Sequence, residues 1–181
     1  MKKFFLLAGL LLCFLPSNAQ KLVSGSLEPV FKEKKLNVVI DYSQAVIDGV
    51  KESSLLNVGG ERAKDWIEGK DELLSKFLLA MLPIVDQHVS VGRFEDAKYT
   101  FTFYPKSIDE DGEVRGDAAV TDAEGNEVAV ITKINGDGGR WGSFINLCGD
   151  SFTRAGTSVG KFMDREYDKI AASKRGTVRA R

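Results

Sequence analysis

The sequence predicts an α+β protein whose mostly antiparallel sheet comprises one strand followed by a three-strand meander, with helices packed on one face. Three segments near the middle, residues 98–105, 114–121 and 127–135, alternate apolar and polar residues and are separated by short Asp/Gly turns. Two flanking segments, residues 61–82 and 150–173, instead space their apolar residues as a helix does. The alternation predicts the sheet, and the helical spacing predicts the helices that pack on it.

The first 19 residues are typical of a secretory signal peptide. Lys2 and Lys3 precede an apolar run over residues 4–15, and small residues occupy the cleavage positions at 17–19. The run is shorter than the roughly 20 residues that a membrane-spanning helix needs. Cys13 follows three leucines rather than a small residue, so we expect no lipid anchor there. The segment predicts export to the periplasm or the extracellular space.

Removal of residues 1–19 from the chain of 181 would leave 162 residues, and the loss of Lys2 and Lys3 would change the formal net charge from −1 to −3. That charge gives no reason to expect binding to nucleic acid or to an anionic membrane. Residues 20–181 contain no further apolar run of membrane-spanning length. Cys148 would be the only remaining cysteine, so we expect a buried thiol without an intramolecular disulfide.

The first half of the chain predicts one strand and one long helix. Residues 20–34 are expected to lead into a single domain over residues 35–175, which begins with a β-branched strand at 35–42. Ser43 is a candidate cap for a short helix that extends to Val50. In the long helix over 61–82, Gly69 is expected to interrupt the helix and Pro83 to end it. The spacing of Trp66 predicts a core position.

The second half predicts the meander and a closing helix. Aromatic residues at 99, 101 and 103 alternate with threonines and a tyrosine, as in a half-buried strand. Turns are expected at residues 109–112 and 122–126. A glycine-rich stretch at 136–142 precedes the closing helix, which is expected to begin near residue 150. Residues 176–181 are expected to be a frayed tail.

This order of strands and turns, which Ala97-Lys98-Tyr99 opens and a helix closes, resembles exported bacterial envelope proteins. It is similar to uncharacterised proteins related to penicillin-binding-protein activator lipoproteins and to curli-secretion-type lipoproteins, over residues 35–173. The resemblance implies an accessory protein of the cell envelope that works through protein contacts, with an unidentified envelope protein as its partner. It supplies no catalytic residues, and the chain lacks the lipid-attachment motif of the lipoprotein members.

The residue spacing and the predicted strand order disfavour calcium binding, a Cys-His dyad and phosphate binding, so we expect no metal, no cofactor and no catalytic residue. The acidic turns at 109–112 and 122–126 should lie about 25 Å apart at the two ends of one strand, too far to share a calcium ion. The same strand order separates His88, the only histidine, from Cys148, so a Cys-His dyad is not expected. The glycine-rich stretch matches neither phosphate-binding motif.

One end of the predicted meander is the candidate binding surface. The first turn and the glycine-rich stretch should emerge there together, bringing aromatic residues near an arginine, as contact sites do. The candidate contact residues are Tyr104, Asp109, Asp111, Asp137, Arg140 and Trp141. The alternative is a purely structural role, in which the glycines make a tight connection and Trp141 caps the edge of the core.

We therefore expect an exported binding or assembly protein without catalytic activity. One alternative is a carboxylate-dependent hydrolase acting on an extracellular or cell-wall substrate, which requires two carboxylates about 5–10 Å apart in a cleft. Another is a structural homo-oligomer, which requires an exposed apolar sheet face or edge.

Overall fold

An eight-stranded mixed sheet with helices forms the centre of the computed structural model, which describes residues 20–179 apart from the side chains of residues 61, 62 and 176–179. The strands are β1 (Lys21–Gly25), β2 (Lys35–Ile40), β3 (Val46–Ile47), β4 (Val50–Lys51), β5 (Ser90–Gly92), β6 (Tyr99–Ile108), β7 (Val114–Asp122) and β8 (Glu127–Gly136). The helices are α1 (Glu28–Glu33), α2 (Glu52–Val58), α3 (Glu61–Val85) and α4 (Phe144–Arg179).

The α+β class is confirmed, but the prediction of a mostly antiparallel sheet with one strand beside a meander is wrong. The strand order is β1-β8-β7-β6-β2-β5, with the small β3-β4 pair beside β6. β6, β7 and β8 are antiparallel neighbours, whereas β2 is parallel to both β5 and β6. The helices α2 and α3 lie between β2 and these partners in sequence and provide the long crossover that parallel pairing requires.

Residues 20–34 take part in the sheet and the core. β1 pairs antiparallel with β8 and forms one edge of the sheet. After it, Leu27, Val30 and Phe31 are buried in the same core cluster as the strands. The segment contains one five-residue strand and one six-residue helix, and each is too short to show a clear apolar period in the sequence. The segment therefore contributes to packing as well as leading into β2.

The prediction of a short helix after Ser43 is wrong, because residues 46–51 form a small hairpin. Asp48 and Gly49 both have positive φ, at 47° and 76°, and they join β3 to β4 as a two-residue turn. An Asp-Gly pair between β-branched residues is a strong hairpin signal. The Asp41 carboxylate accepts a hydrogen bond from the Ser43 N–H, which forms a turn where a helix cap was expected.

The first long helix, α3, is continuous, so the predicted interruption at Gly69 and the predicted stop at Pro83 are both wrong. A Cβ on Gly69 would lie 2.7 Å from the Ile145 Cδ1, so this glycine allows α4 to approach. Pro83 lies in the last turn of α3, where the carbonyl that loses its partner belongs to Leu79, which is 71% exposed. Water can therefore satisfy that carbonyl.

The core lies between the sheet and the pair of long helices. Phe77 of α3 stacks on Phe103 of β6 with ring centroids 5.6 Å apart, and Phe152 of α4 meets the same Phe103 ring edge-on at 6.0 Å. Trp66, which was predicted to be core, is 1% exposed. Both long helices therefore pack on one face of β6. Within residues 20–179, no helix has the length and apolar character needed to cross a membrane.

Candidate functional site

The β6-β7 turn and the glycine-rich loop come together at one end of the sheet, as predicted. A Cβ on Gly138 would lie 1.9 Å from the Asp111 carbonyl oxygen, so the two backbones touch there. The Arg154 guanidinium of α4 donates hydrogen bonds to the carbonyls of Asp137 and Gly138, at 2.6 and 2.5 Å. The Gly139 N–H donates to the Leu147 carbonyl at 3.2 Å. The loop backbone is thus fixed from both sides; we call residues 109–113 with 137–143 the loop end.

Two acidic turn residues have structural roles. The Asp109 carboxylate accepts a hydrogen bond from the Glu113 N–H at 2.8 Å and so closes the turn of the loop end. At the far end of β7, the Asp122 carboxylate accepts hydrogen bonds from the Asn126 side chain and from the N–H groups of Glu124 and Asn126. The Asn126 side-chain hydrogen bond, above all, lowers the pKa of Asp122 below its usual range.

The remaining candidate contact residues differ in their placement. Trp141 is 89% exposed, and Arg140 beside it is exposed as well. Asp111 is exposed in the turn. Tyr104 lies four residues before the end of β6, about 13 Å along the strand, and it is half-buried opposite Asp117 of β7. The structure therefore brings the turn and the loop together and leaves Tyr104 further along the sheet.

The closing helix begins at Phe144, six residues before the predicted start near 150. Ser143 lies directly before it: its Oγ accepts a hydrogen bond from the Asn146 N–H at 3.4 Å, and its carbonyl accepts one from the Leu147 N–H at 3.0 Å. A serine before an apolar helical segment is a known start signal. The early start places the first turn of α4 directly after Trp141 and Gly142.

A cleft of about 380 Å³ opens between α3 and this first turn of α4. Its lining residues are Asp65, Trp66, Glu68, Gly69, Glu72, Ser143, Phe144, Ile145 and Asn146. Carboxylates form the α3 wall, while the half-buried Phe144 and Ile145 contribute apolar surface from α4. We call this the acidic cleft. The exposed Trp141 lies two residues from Ser143, so its backbone is within about 8 Å of the cleft.

The carboxylates of the acidic cleft are spaced along one side of α3. Residues three and four apart on a helix are neighbours, with Cβ atoms about 5–6 Å apart, so Asp65, Glu68 and Glu72 form one row. Glu68 and Glu72 also pair along the helix with Lys64 at 3.8 Å and Lys76 at 3.2 Å. The α4 wall presents no carboxylate among its lining residues. The row therefore does not give the hydrolase alternative a pair facing across a substrate.

Behind the acidic cleft, Trp66 is anchored by a buried polar group. Its indole Nε1 donates a hydrogen bond to the Glu52 carboxylate at 3.0 Å, and Lys70 forms an ion pair with the same carboxylate. Glu52 is 7% exposed. Nearby, the buried Tyr42 hydroxyl has no hydrogen-bond partner in the described part of the chain, and burial, above all, raises its pKa. This network fixes the position of the α3 wall.

The Cys-His dyad is absent. His88 lies 3.0 Å from the Asp164 carboxylate and stacks on Tyr167, with ring centroids 3.8 Å apart. Cys148 is buried on the same helix as Asp164, but 16 residues earlier, which corresponds to about 24 Å along the axis. Across residues 20–179, no group of three or more His, Cys, Asp or Glu side chains is arranged to hold a metal ion.

Sequence reasoning missed the acidic cleft. The carboxylates at 65, 68 and 72 follow the helical period, and that spacing could have placed them on one side of α3. Their proximity to residues 143–146 depends on how α3 and α4 cross, which no local pattern gives. The glycines at 69 and 156 were the available hint of that close crossing.

No family model and no curated protein matches this chain. Among solved structures, it is similar to the PelC dodecamer from Paraburkholderia phytofirmans, with 12% sequence identity and a TM-score of 0.39 over 77% of this chain and 97% of that one. A point variant of that PelC dodecamer gives the same identity and TM-score over 78% and 98%. A likeness this distant assigns no function to the chain.

Proposed function

We propose that this protein is an accessory binding or assembly protein that acts through protein contacts at the loop end, and not through catalysis. The observation that supports it is the 89% exposure of Trp141 on a loop whose backbone is fixed by Arg154 and Leu147. An indole held in water by a fixed loop is a typical anchor for an interface. Its burial by a partner would contribute about 3–6 kcal/mol before the costs of association.

The site of action in this proposal is outside the cytoplasm, in the periplasm or beyond the cell. The support is the sequence of residues 1–19, which lie outside the described part of the structure. Their charged start, apolar run and small cleavage residues fit a secretory signal. The resemblance to envelope lipoprotein relatives fits the same location and an envelope protein as the partner.

The test is capture of the partner from the native envelope by crosslinking the mature protein. The Arg140→Ala/Trp141→Ala double variant should still fold, because both side chains are exposed, and it should lose most of the captured partner. A matched control replaces Leu79 by alanine; this side chain is 71% exposed in the second half of α3, beyond the part of that helix that lines the acidic cleft, and the control should capture the partner normally. Undiminished capture by a folded double variant would refute the proposal.

A structural homo-oligomer is the second candidate, and the exposed edge of the sheet favours it. β1 is an edge strand, and Val23 within it is 57% exposed. An edge strand with an exposed β-branched residue is a template for pairing with another chain. Native mass spectrometry of the mature protein separates the candidates, since the oligomer requires a defined multiple of the subunit mass that a Val23→Lys variant reduces to the monomer.

A further inference from the structure

We infer that the acidic cleft takes a cationic segment of the partner, a stretch in which lysine or arginine alternates with apolar residues. This inference deepens the proposed function and rests on it, because the acidic cleft adjoins the loop end. Two features of the cleft carry it: the charge of the α3 wall, and the aromatic and apolar groups beside that wall.

The charge of the α3 wall specifies the sign of the occupant. The described lining side chains carry three carboxylates and no cation, and all three carboxylates are exposed to solvent. Lys64 and Lys76 pair with two of them along the helix surface, but exposed pairs of this kind contribute little and exchange readily. Counted with these two lysines, the wall keeps a net charge of −1, which favours ammonium or guanidinium groups over acidic ones.

The walls beside the carboxylates specify the rest of the occupant. Phe144 and Ile145 offer half-buried apolar surface, and Trp141 lies within reach of the rim. An exposed indole is suited to a cation because the ring face attracts it, and a segment that spans the rim can place one basic group on this ring and another on the carboxylates. The volume of about 380 Å³ admits one or two side chains rather than a folded element. A segment with alternating basic and apolar residues fits these dimensions.

The walls of the acidic cleft are fixed in position before any occupant binds. The Trp66 indole is fixed by Glu52 at 3.0 Å, and Gly69 lets Ile145 approach the α3 backbone. Ser143 caps the first turn of α4 on the opposite wall. A fixed site loses little conformational freedom on binding, which increases affinity.

The test is a titration of the mature protein with a short peptide of alternating arginine and leucine, followed by tryptophan fluorescence. Because Trp141 is 89% exposed and Trp66 is 1% exposed, most of the fluorescence change on binding should come from Trp141 and should be lost in a Trp141→Phe variant. A peptide with glutamate in place of arginine should not bind. Because exposed charges are screened by salt, the affinity for the arginine peptide should fall as salt increases.

The cleft variant is Asp65→Asn/Glu68→Gln/Glu72→Gln, which should weaken peptide binding by about tenfold or more. The control variant, Asp86→Asn/Glu95→Gln/Asp168→Asn, makes the same change in net charge at exposed carboxylates elsewhere and should bind as the wild type does. Equal binding by the cleft and control variants, or no binding by the wild type, would overturn the inference. If the cleft variant misfolds, the salt dependence of wild-type binding and the comparison with the glutamate peptide still test the inference.

The outcomes separate this inference from the proposed function. If the arginine peptide fails to bind while the Arg140/Trp141 double variant still loses its envelope partner, only the cationic segment is refuted. If the double variant still captures its partner, the proposed function is refuted as well. If the cleft variant instead loses a concentration-dependent self-association in sedimentation, the occupant is a second copy of this chain, and the inference of a separate basic partner is wrong.

Discussion

Gly156 controls how closely α4 approaches α3, so its replacement by alanine is a direct test of the helix pair that forms the walls of the acidic cleft. A Cβ at this position would lie 2.2 Å from the Phe77 carbonyl oxygen and 3.0 Å from the Phe77 Cα. The helices would have to separate locally by about 1 Å, and overpacking of this kind costs about 1–3 kcal/mol. The contact is with backbone, which cannot turn aside, so the upper half of that range applies.

Alanine also has the higher helix propensity, by about 1 kcal/mol. We therefore expect Gly156→Ala to destabilise the protein by about 1–2 kcal/mol and to lower the Tm by about 3–6 °C. Gly160→Ala is the matched control, because its Cβ would meet the flexible Ile84 Cδ1 at 3.1 Å and the Met81 carbonyl at 3.2 Å. The control should range from unchanged to about 1 kcal/mol more stable.

Urea unfolding followed by circular dichroism measures both variants against the wild type. The order of stability should be Gly160→Ala at or above the wild type, with Gly156→Ala below it. The wider helix spacing in Gly156→Ala should also weaken arginine-peptide binding in the acidic cleft. A Gly156→Ala protein that is as stable as the Gly160→Ala protein would refute the close backbone contact and the account of the cleft walls that depends on it.

Three further changes test other parts of the structure by thermal and urea unfolding. Glu52→Ala should cost about 2–4 kcal/mol, because it leaves the buried Trp66 indole and a lysine ammonium without their carboxylate; a cost below about 0.5 kcal/mol would contradict this. Trp141→Ala should change stability by less than about 0.5 kcal/mol, since the side chain is 89% exposed, and a larger loss would mean that it caps the core. Hydrogen bonding, above all from Asn126, lowers the Asp122 pKa below 3.8, so its stabilising effect is present above that pH and is lost as the pH falls through the lowered value. The stability gap between the wild type and Asp122→Asn should therefore narrow below pH 3.8, and a gap that widens there would contradict the sign of the shift.

The meander was the part of the fold that sequence could predict, because its signals are local. Alternation in residues 98–105 and the Asp/Gly turns predict three antiparallel strands joined as hairpins, which the structure forms as β6, β7 and β8. The parallel pairing of β2 with β6 was missed, because alternation fixes a strand but not its direction or its neighbour. The β3-β4 hairpin was missed although Asp48-Gly49 indicated it, since Ser43 was given more weight as a helix cap.

The candidate site could be predicted only in part, for a similar reason. The meander placed the turn of Asp109 and the loop before Trp141 at one end of the sheet, and the contact of Gly138 with Asp111 agrees with that. The α3 wall of the acidic cleft could not be placed, because it depends on the crossing of two helices about 70 residues apart in the chain. Tyr104 was grouped with the loop because the predicted strand ended at residue 105, whereas β6 continues to Ile108.

The most direct test of the account places a photoreactive amino acid at position 146, an exposed position in the wall of the acidic cleft that leaves Trp141 in place, crosslinks the protein in its native envelope, and identifies the attached peptide by mass spectrometry. The account predicts attachment to a segment of another protein in which lysine or arginine alternates with apolar residues, and loss of that product in the Asp65/Glu68/Glu72 cleft variant. Attachment to an acidic segment or to a second copy of this chain, or a product that is undiminished in the cleft variant, would contradict it.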